Sequence, residues 1–189
     1  MKVKLILISV LVVVALTMIL PAAAGAKGPG SAYVYDATLT QTNAAPVSGT
    51  CHLVLNRSGL IVRLQVFGLQ PREAHTAAIT GFTSGAPARL PNPATDTNKD
   101  GLISGPEAAA VVGSPLVWLE PIVVKRNGMV IFQVKFPRTA LTALDPVNIM
   151  LGKCAIVVYG VMQQPSYTLP FYDPKAPAAC GLITGKKAY

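Results

Sequence analysis

Twelve consecutive residues, Asp96-Thr97-Asn98-Lys99-Asp100-Gly101-Leu102-Ile103-Ser104-Gly105-Pro106-Glu107, match the spacing D-x-[DN]-x-[DN]-G-x5-E with no mismatch. That spacing wraps hard oxygen donors around one divalent cation. The side chains of Asp96, Asn98 and Asp100 converge, Gly101 permits a sharp turn, and the Leu102 carbonyl supplies the next ligand. Ser104 acts through a water, and Glu107 closes the shell with two oxygens. Calcium is the cation this chemistry predicts. Ile103, eighth in the loop, is expected to pin it to the core. An Asx-rich surface turn would carry the same letters without binding anything. The flanks differ from those of a helix–loop–helix hand: Arg89–Thr95 contains Pro91 and Pro93, which obstruct an incoming helix, and no second loop of this kind is present. The expectation is a calcium loop inserted between β-strands, ordering residues 83–112.

Other chemistry is scarce. Two histidines and three cysteines exclude a multi-histidine redox or hydrolytic centre and make a zinc finger with four Cys/His in one cluster improbable. His75, with no histidine near it in sequence, reads as a hydrogen-bonded structural residue. His52 alternates with an inward Cys51 and is expected to face solvent. Cys51, Cys154 and Cys180 can close only one intrachain disulfide, and their pairing is left open, including no pairing at all. Ser84, within Gly81–Gly85, is at the wrong offset for a nucleophile elbow. Asn56-Arg57-Ser58 is a glycosylation sequon, relevant only in a host that glycosylates. Trp118 and Tyr159 read as core or rim packing rather than a ligand platform. The formal net charge of +8 is spread over single cations and two pairs, Lys125-Arg126 and Lys186-Lys187, with no aromatic stripe between them. That is a solvated surface, and no nucleic-acid partner is expected.

The elements that must position this loop lie behind a leader. Met1–Lys4 holds two lysines, Leu5–Leu20 is apolar but for Ser9 and Thr17, Pro21 ends the run, and Ala24-Gly25-Ala26 offers small residues for cleavage. This is the layout of a secretory signal peptide over residues 1–26. The run is shorter than the ~20 residues a spanning helix needs, though an uncleaved anchor is the competing reading. Cleavage leaves one domain, residues 27–189, and removes Lys2 and Lys4, lowering the formal charge to +6. The protein is expected to be secreted or on the cell-envelope exterior, with no membrane contact beyond the signal peptide. Its 51% apolar and 13% charged composition suffices for a buried core.

The mature chain reads as short strands. Ala32–Leu39 alternates. Gly49–Leu55 sets Cys51, Leu53 and Leu55 opposite Thr50, His52 and Val54. Asn56–Gly59 is a hairpin turn, and Leu60–Leu69 places Leu60, Val62, Leu64 and Val66 inward. Further strands are expected at Leu116–Leu119, Met129–Phe136, Ala155–Val161 and Cys180–Thr184. Pro106–Val112 is the one helix, with Pro at a first-turn position. Sixteen prolines and sixteen glycines punctuate these runs as in a sandwich or barrel.

Taken in order, Val47-Ser-Gly-Thr-Cys51, Gly68-Leu-Gln-Pro-Arg-Glu-Ala-His75 leading into a strand, Ala155-Ile-Val-Val-Tyr-Gly160 and Ala179-Cys-Gly-Leu-Ile183 resemble the copper/zinc superoxide dismutase-like β-barrel and its secreted CHRD-type relatives, over about residues 32–184. The fold this implies is all-β, an eight-stranded Greek-key barrel or sandwich. The calcium-type loop is extra to it. The resemblance places the family's copper-binding histidines at Ala78, Thr80 and Tyr159, and leaves its zinc loop without histidine. His75 falls on a histidine that is structural in the dismutases. Cys180 falls on the family's disulfide cysteine, whose usual loop partner is missing from residues 76–95. Copper needs several imidazoles, so neither copper nor zinc is expected. Two functions follow from different classes. The first is a secreted, non-catalytic, calcium-stabilised barrel serving as a binding, adhesion or matrix module for a protein or extracellular polymer. The alternative is an exported dismutase-type metalloenzyme with an unusual metal site.

Overall fold

The computed structural model describes residues 32–141, 151–163 and 170–187; the signal peptide expected at 1–26 lies outside them. Among the described residues nine strands follow one another as β1 (Tyr33–Gln41), β2 (Ser48–Asn56), β3 (Gly59–Phe67), β4 (Ala74–Gly81), β5 (Ser114–Val123), β6 (Val130–Pro137), β7 (Ala155–Gln163), β8 (Phe171–Leu182) and β9 (Thr184–Lys187). One α-helix among the described residues, α1 (Gly105–Val112), precedes β5.

The alternation in β2 and β3 builds the core directly. Cys51, Leu53, Leu60, Val62, Leu64 and Val66 are all buried, and each fully buried Leu or Val contributes roughly 1.5–3 kcal/mol. Asn56 makes the turn between them. Its Oδ1 accepts the N–H of Ser58 at 2.8 Å and of Gly59 at 3.2 Å, an Asx turn that satisfies donors the two-residue connection leaves over.

The sheet order is β5-β4-β7-β8-β1-β2-β3-β6, with β9 added to β1. All pairings are antiparallel. β3 neighbours β6 rather than β4, and β6 is followed by β7 on the far side of β4. These two jumps make the path a Greek key. Its end strands, β5 and β6, are consecutive in the chain and joined by a tight turn in which Gly128 donates to the Lys125 carbonyl at 3.0 Å. The barrel is therefore closed except along this seam, where Val123 and Ile131 are exposed.

Two expectations need correction. The single strand expected at Cys180–Thr184 is the end of the twelve-residue β8 and the start of β9. Ile183 divides them, its side chain buried and its N–H bonded to the Cys154 carbonyl at 3.0 Å. The barrel also has a ninth strand beyond the eight implied by the resemblance, because Thr184–Lys187 finds an open place beside Tyr33–Asp36.

Burial is two-layered. Inside the barrel lies the main cluster, to which β4 gives Ala77 and Ile79 and β7 gives Ile156 and Val158. The opposite faces of the same strands give Ala78, Ala155, Val157 and Tyr159, and β8 gives Cys180, to a second cluster closed by Ala88 and Val112. Residues 82–113 thus fold over the outside of β4, β7 and β8. The Ala88 N–H bonds the Lys153 carbonyl at 2.8 Å, and the Arg89 N–H bonds the Val111 carbonyl at 2.9 Å. Gly113 (φ 81°) ends α1 against the backbone of Gly81, where a Cβ would collide with the Gly81 carbonyl.

Candidate calcium-binding loop

The loop begins after a single 3-10 turn at Pro93–Thr95, capped by Asn92, whose Oδ1 accepts the Ala94 N–H at 2.9 Å. The two prolines do prevent a long incoming helix. Asp96–Asp100 then curls through side-chain acceptors. Asn98 Oδ1 takes the Asp100 N–H at 3.0 Å, Asp96 Oδ2 takes the Gly101 N–H at 2.9 Å, and Asp100 Oδ1 takes the Leu102 N–H at 2.8 Å. Lys99 (φ 59°) and Gly101 (φ 85°) occupy the left-handed region. Glycine does so freely. For lysine it costs roughly 1 kcal/mol or more, held in place by the acceptors on either side.

Expected ligands Asp96, Asn98 and Asp100 are therefore brought onto one turn. Ile103 is buried as expected. Ser104 is the N-cap residue of α1; rather than standing free to hold a water, its hydroxyl donates to Glu107 Oε2 at 2.7 Å. Glu107 departs furthest from expectation. Its Oε2 also accepts the Ser104 N–H at 2.9 Å, and its Oε1 accepts the Thr97 N–H and hydroxyl, both at 2.8 Å, and the Asn98 N–H at 3.3 Å. Five donors fill a carboxylate that offers about four lone-pair sites. They hold the Glu107 carboxyl far below its ordinary range, at about 2, through the Ser104 N–H first, then the hydroxyls of Ser104 and Thr97. Among the described residues, no group of three or more His, Cys, Asp and Glu side chains is gathered as a metal shell, and the Glu107 carboxylate is taken up by backbone and hydroxyl donors. It ties both ends of the loop together through their N–H groups.

The donor set nevertheless fits a hard cation. Asp96 Oδ1 is buried and has no hydrogen-bond partner, whereas buried carboxylate oxygens are ordinarily paired. Asp96, Asn98, Asp100, the Leu102 carbonyl, Ser104 through water and Glu107 would hold calcium, whose preference is for oxygen alone. To join them, Glu107 would have to give up N–H donors to the ion.

The loop is anchored to the barrel at two further points. Asn43, in the bend between β1 and β2, bonds both backbone groups of Ile103. Gly105 lies so close to the Lys175 carbonyl that a Cβ there would approach it to 2.9 Å. Sequence reasoning missed Asn43, since nothing local links it to a residue 60 positions away.

Where the resemblance puts copper ligands, Ala78, Thr80 and Tyr159 do share the outer face of β4 and β7, with Thr76 opposite Tyr159 and Thr80 opposite Ala155. That face is covered by the 82–113 segment and filled by apolar side chains. The Tyr159 ring lies 5.7 Å from that of Trp118, tilted by 45°, and Trp118 is 56% exposed. None of these side chains is an imidazole, so they do not fit copper. His75 lies on the inner face, 0% exposed. Its Nδ1 is 3.1 Å from the Tyr159 carbonyl and its Nε2 3.1 Å from the Gln70 carbonyl, joining β4, β7 and the β3–β4 crossover. His52 is half-exposed and bonds Asp36 at 2.7 Å. No disulfide joins the cysteines. Cys180 lies in the outer cluster, and Cys51 and Cys154 in the barrel core, so the sheet separates Cys180 from both.

Among the described residues no helix is long and apolar enough to cross a membrane. No protein-family model matches this chain, and no curated protein matches it.

Proposed function

We propose that the protein is an exported, non-catalytic β-barrel stabilised by calcium in the 96–107 loop, a binding, adhesion or matrix module for a protein or extracellular polymer rather than for nucleic acid or membrane. The observation that carries the calcium reading is the buried, unpartnered Asp96 Oδ1 inside a loop of the right spacing. Export rests on the charged, apolar and small-residue layout of residues 1–26. Kinship with the superoxide dismutase-like barrels rests on the quoted motifs, and the Greek-key strand order is consistent with it. The non-catalytic reading rests on the side chains at Ala78, Thr80 and Tyr159, none of which can replace a copper-binding imidazole.

Thermal melts of the mature chain with millimolar calcium and with chelator test this. A ligand that binds only the folded state adds RT ln(1 + [L]/Kd), about 2.7 kcal/mol at a hundredfold excess, or about 5–10 °C in Tm for a domain of this size. Asp96→Ala should abolish the difference, while Lys99→Ala should keep it. A wild-type melt indifferent to calcium would overturn the reading. Stoichiometric copper supporting superoxide turnover would overturn the non-catalytic assignment.

A further inference from the structure

We propose that Asn43 is a positioning residue for the calcium loop, aiming the Leu102 carbonyl and coupling occupancy of the loop to the barrel; the inference rests on the calcium reading above. Asn43 is 6% exposed. Its Oδ1 accepts the Ile103 N–H at 2.8 Å, and its Nδ2 donates to the Ile103 carbonyl at 3.0 Å and to the Pro177 carbonyl of β8 at 2.8 Å. Only this orientation of the amide is consistent with its neighbours. Reversed, the oxygen would face two carbonyls and the NH2 would face an N–H.

The consequence follows from peptide planarity. The Leu102 carbonyl and the Ile103 N–H belong to one trans peptide and point in opposite directions. An Ile103 N–H held on Asn43 therefore turns the Leu102 carbonyl away from Asn43, where as the seventh loop position it is free to serve as a ligand. The bond also polarises that peptide, making its carbonyl a better ligand. One side chain holds both backbone groups of Ile103, as an opposing strand would hold a residue in a ladder. Ile103 lies between the ligand group Asp96–Leu102 and the closing pair Ser104 and Glu107, so fixing it fixes how these two halves meet. The second Nδ2 bond reaches β8, whose neighbouring Ala178 carbonyl accepts the Thr42 N–H at 3.0 Å. Loop and barrel thus share a buried polar junction. The tighter this junction, the more calcium binding depends on the folded barrel and the more of its binding energy stabilises the fold.

The experiment uses the mature chain with calcium chloride as the probe, combining calorimetric titration with melts in calcium and in chelator. Asn43→Ala is expected to weaken calcium binding by about tenfold or more, as loss of outer-shell partners commonly does, and to cut the calcium-induced rise in Tm by more than half. The same affinity and the same rise as wild type would overturn the role of Asn43 while leaving the calcium reading intact. Failure of the wild type to bind calcium would instead remove the calcium reading, and this inference with it. Should Asn43→Ala not fold, amide exchange in the wild type decides. Calcium is expected to slow exchange at Ile103 about tenfold or more, and exchange unchanged at saturation would overturn the proposal.

Discussion

Replacing His75 with alanine removes a side chain that ties the β3–β4 crossover to β7. The imidazole is fully buried, with both ring nitrogens 3.1 Å from backbone carbonyls, of Gln70 and Tyr159. It also makes an edge contact with Tyr172 at 5.4 Å. A single tautomer of the ring carries one N–H, so one of these carbonyls loses its donor, at about 1–3 kcal/mol, and the vacated ring volume adds a cavity term of about 2 kcal/mol. Together these give about 3–5 kcal/mol, a large share of the roughly 5–15 kcal/mol by which domains are stable. At about 2–4 °C per kcal/mol for a chain of this length, Tm should fall by about 6–20 °C. Urea unfolding at pH 7 in the presence of calcium measures the loss. Native-state amide exchange should also quicken at Leu69, whose N–H bonds the Gly128 carbonyl at 3.1 Å within the same crossover. A loss below about 1 kcal/mol would refute the reasoning, since it would mean that the carbonyl deprived of its donor finds another partner at no cost.

Three further outcomes follow from the same geometry. Because folding lowers the Glu107 carboxyl from 4.5 to about 2, its contribution is complete above about pH 4.5 and is lost as pH falls toward 2; in chelator the wild type should lose more stability across that window than Glu107→Gln, and equal acid slopes would count against the Glu107 network. Gly113→Ala should destabilise by about 2 kcal/mol or more, because a Cβ meets the Gly81 carbonyl and the backbone is left-handed (φ 81°); a neutral substitution would mean that α1 does not rest against β4. Burial pushes Cys51 up to about 12 and Cys154 and Cys180 up to about 11, so the native thiols should resist a thiol-specific reagent at pH 8 and all three should react after unfolding. Rapid native labelling would contradict their burial.

What local chemistry specifies was legible in the residues. Period-2 alternation marks β2 and β3, Asn56–Gly59 marks their turn, Pro106 marks the start of α1, and the Asp/Asn/Gly spacing marks the loop, because each depends on neighbours a few positions apart. Only the tertiary structure decided the rest. β4 has no alternation to read because both its faces are covered, one by the barrel core and one by the 82–113 segment, and a doubly buried strand selects apolar residues throughout. It was expected only from the family resemblance. Ile183, which divides β8 from β9, carries no turn residue to announce the break. Nor does the loop pattern announce that Glu107 is occupied by five donors, since Thr97 and Asn98 reach it only after the chain has curled back on itself. The Asn43–Ile103 pair spans 60 residues, and the separation of Cys180 from Cys51 and Cys154 depends on which face of a folded sheet each occupies. Such pairings reflect how a particular barrel closes, and no spacing in the chain encodes them.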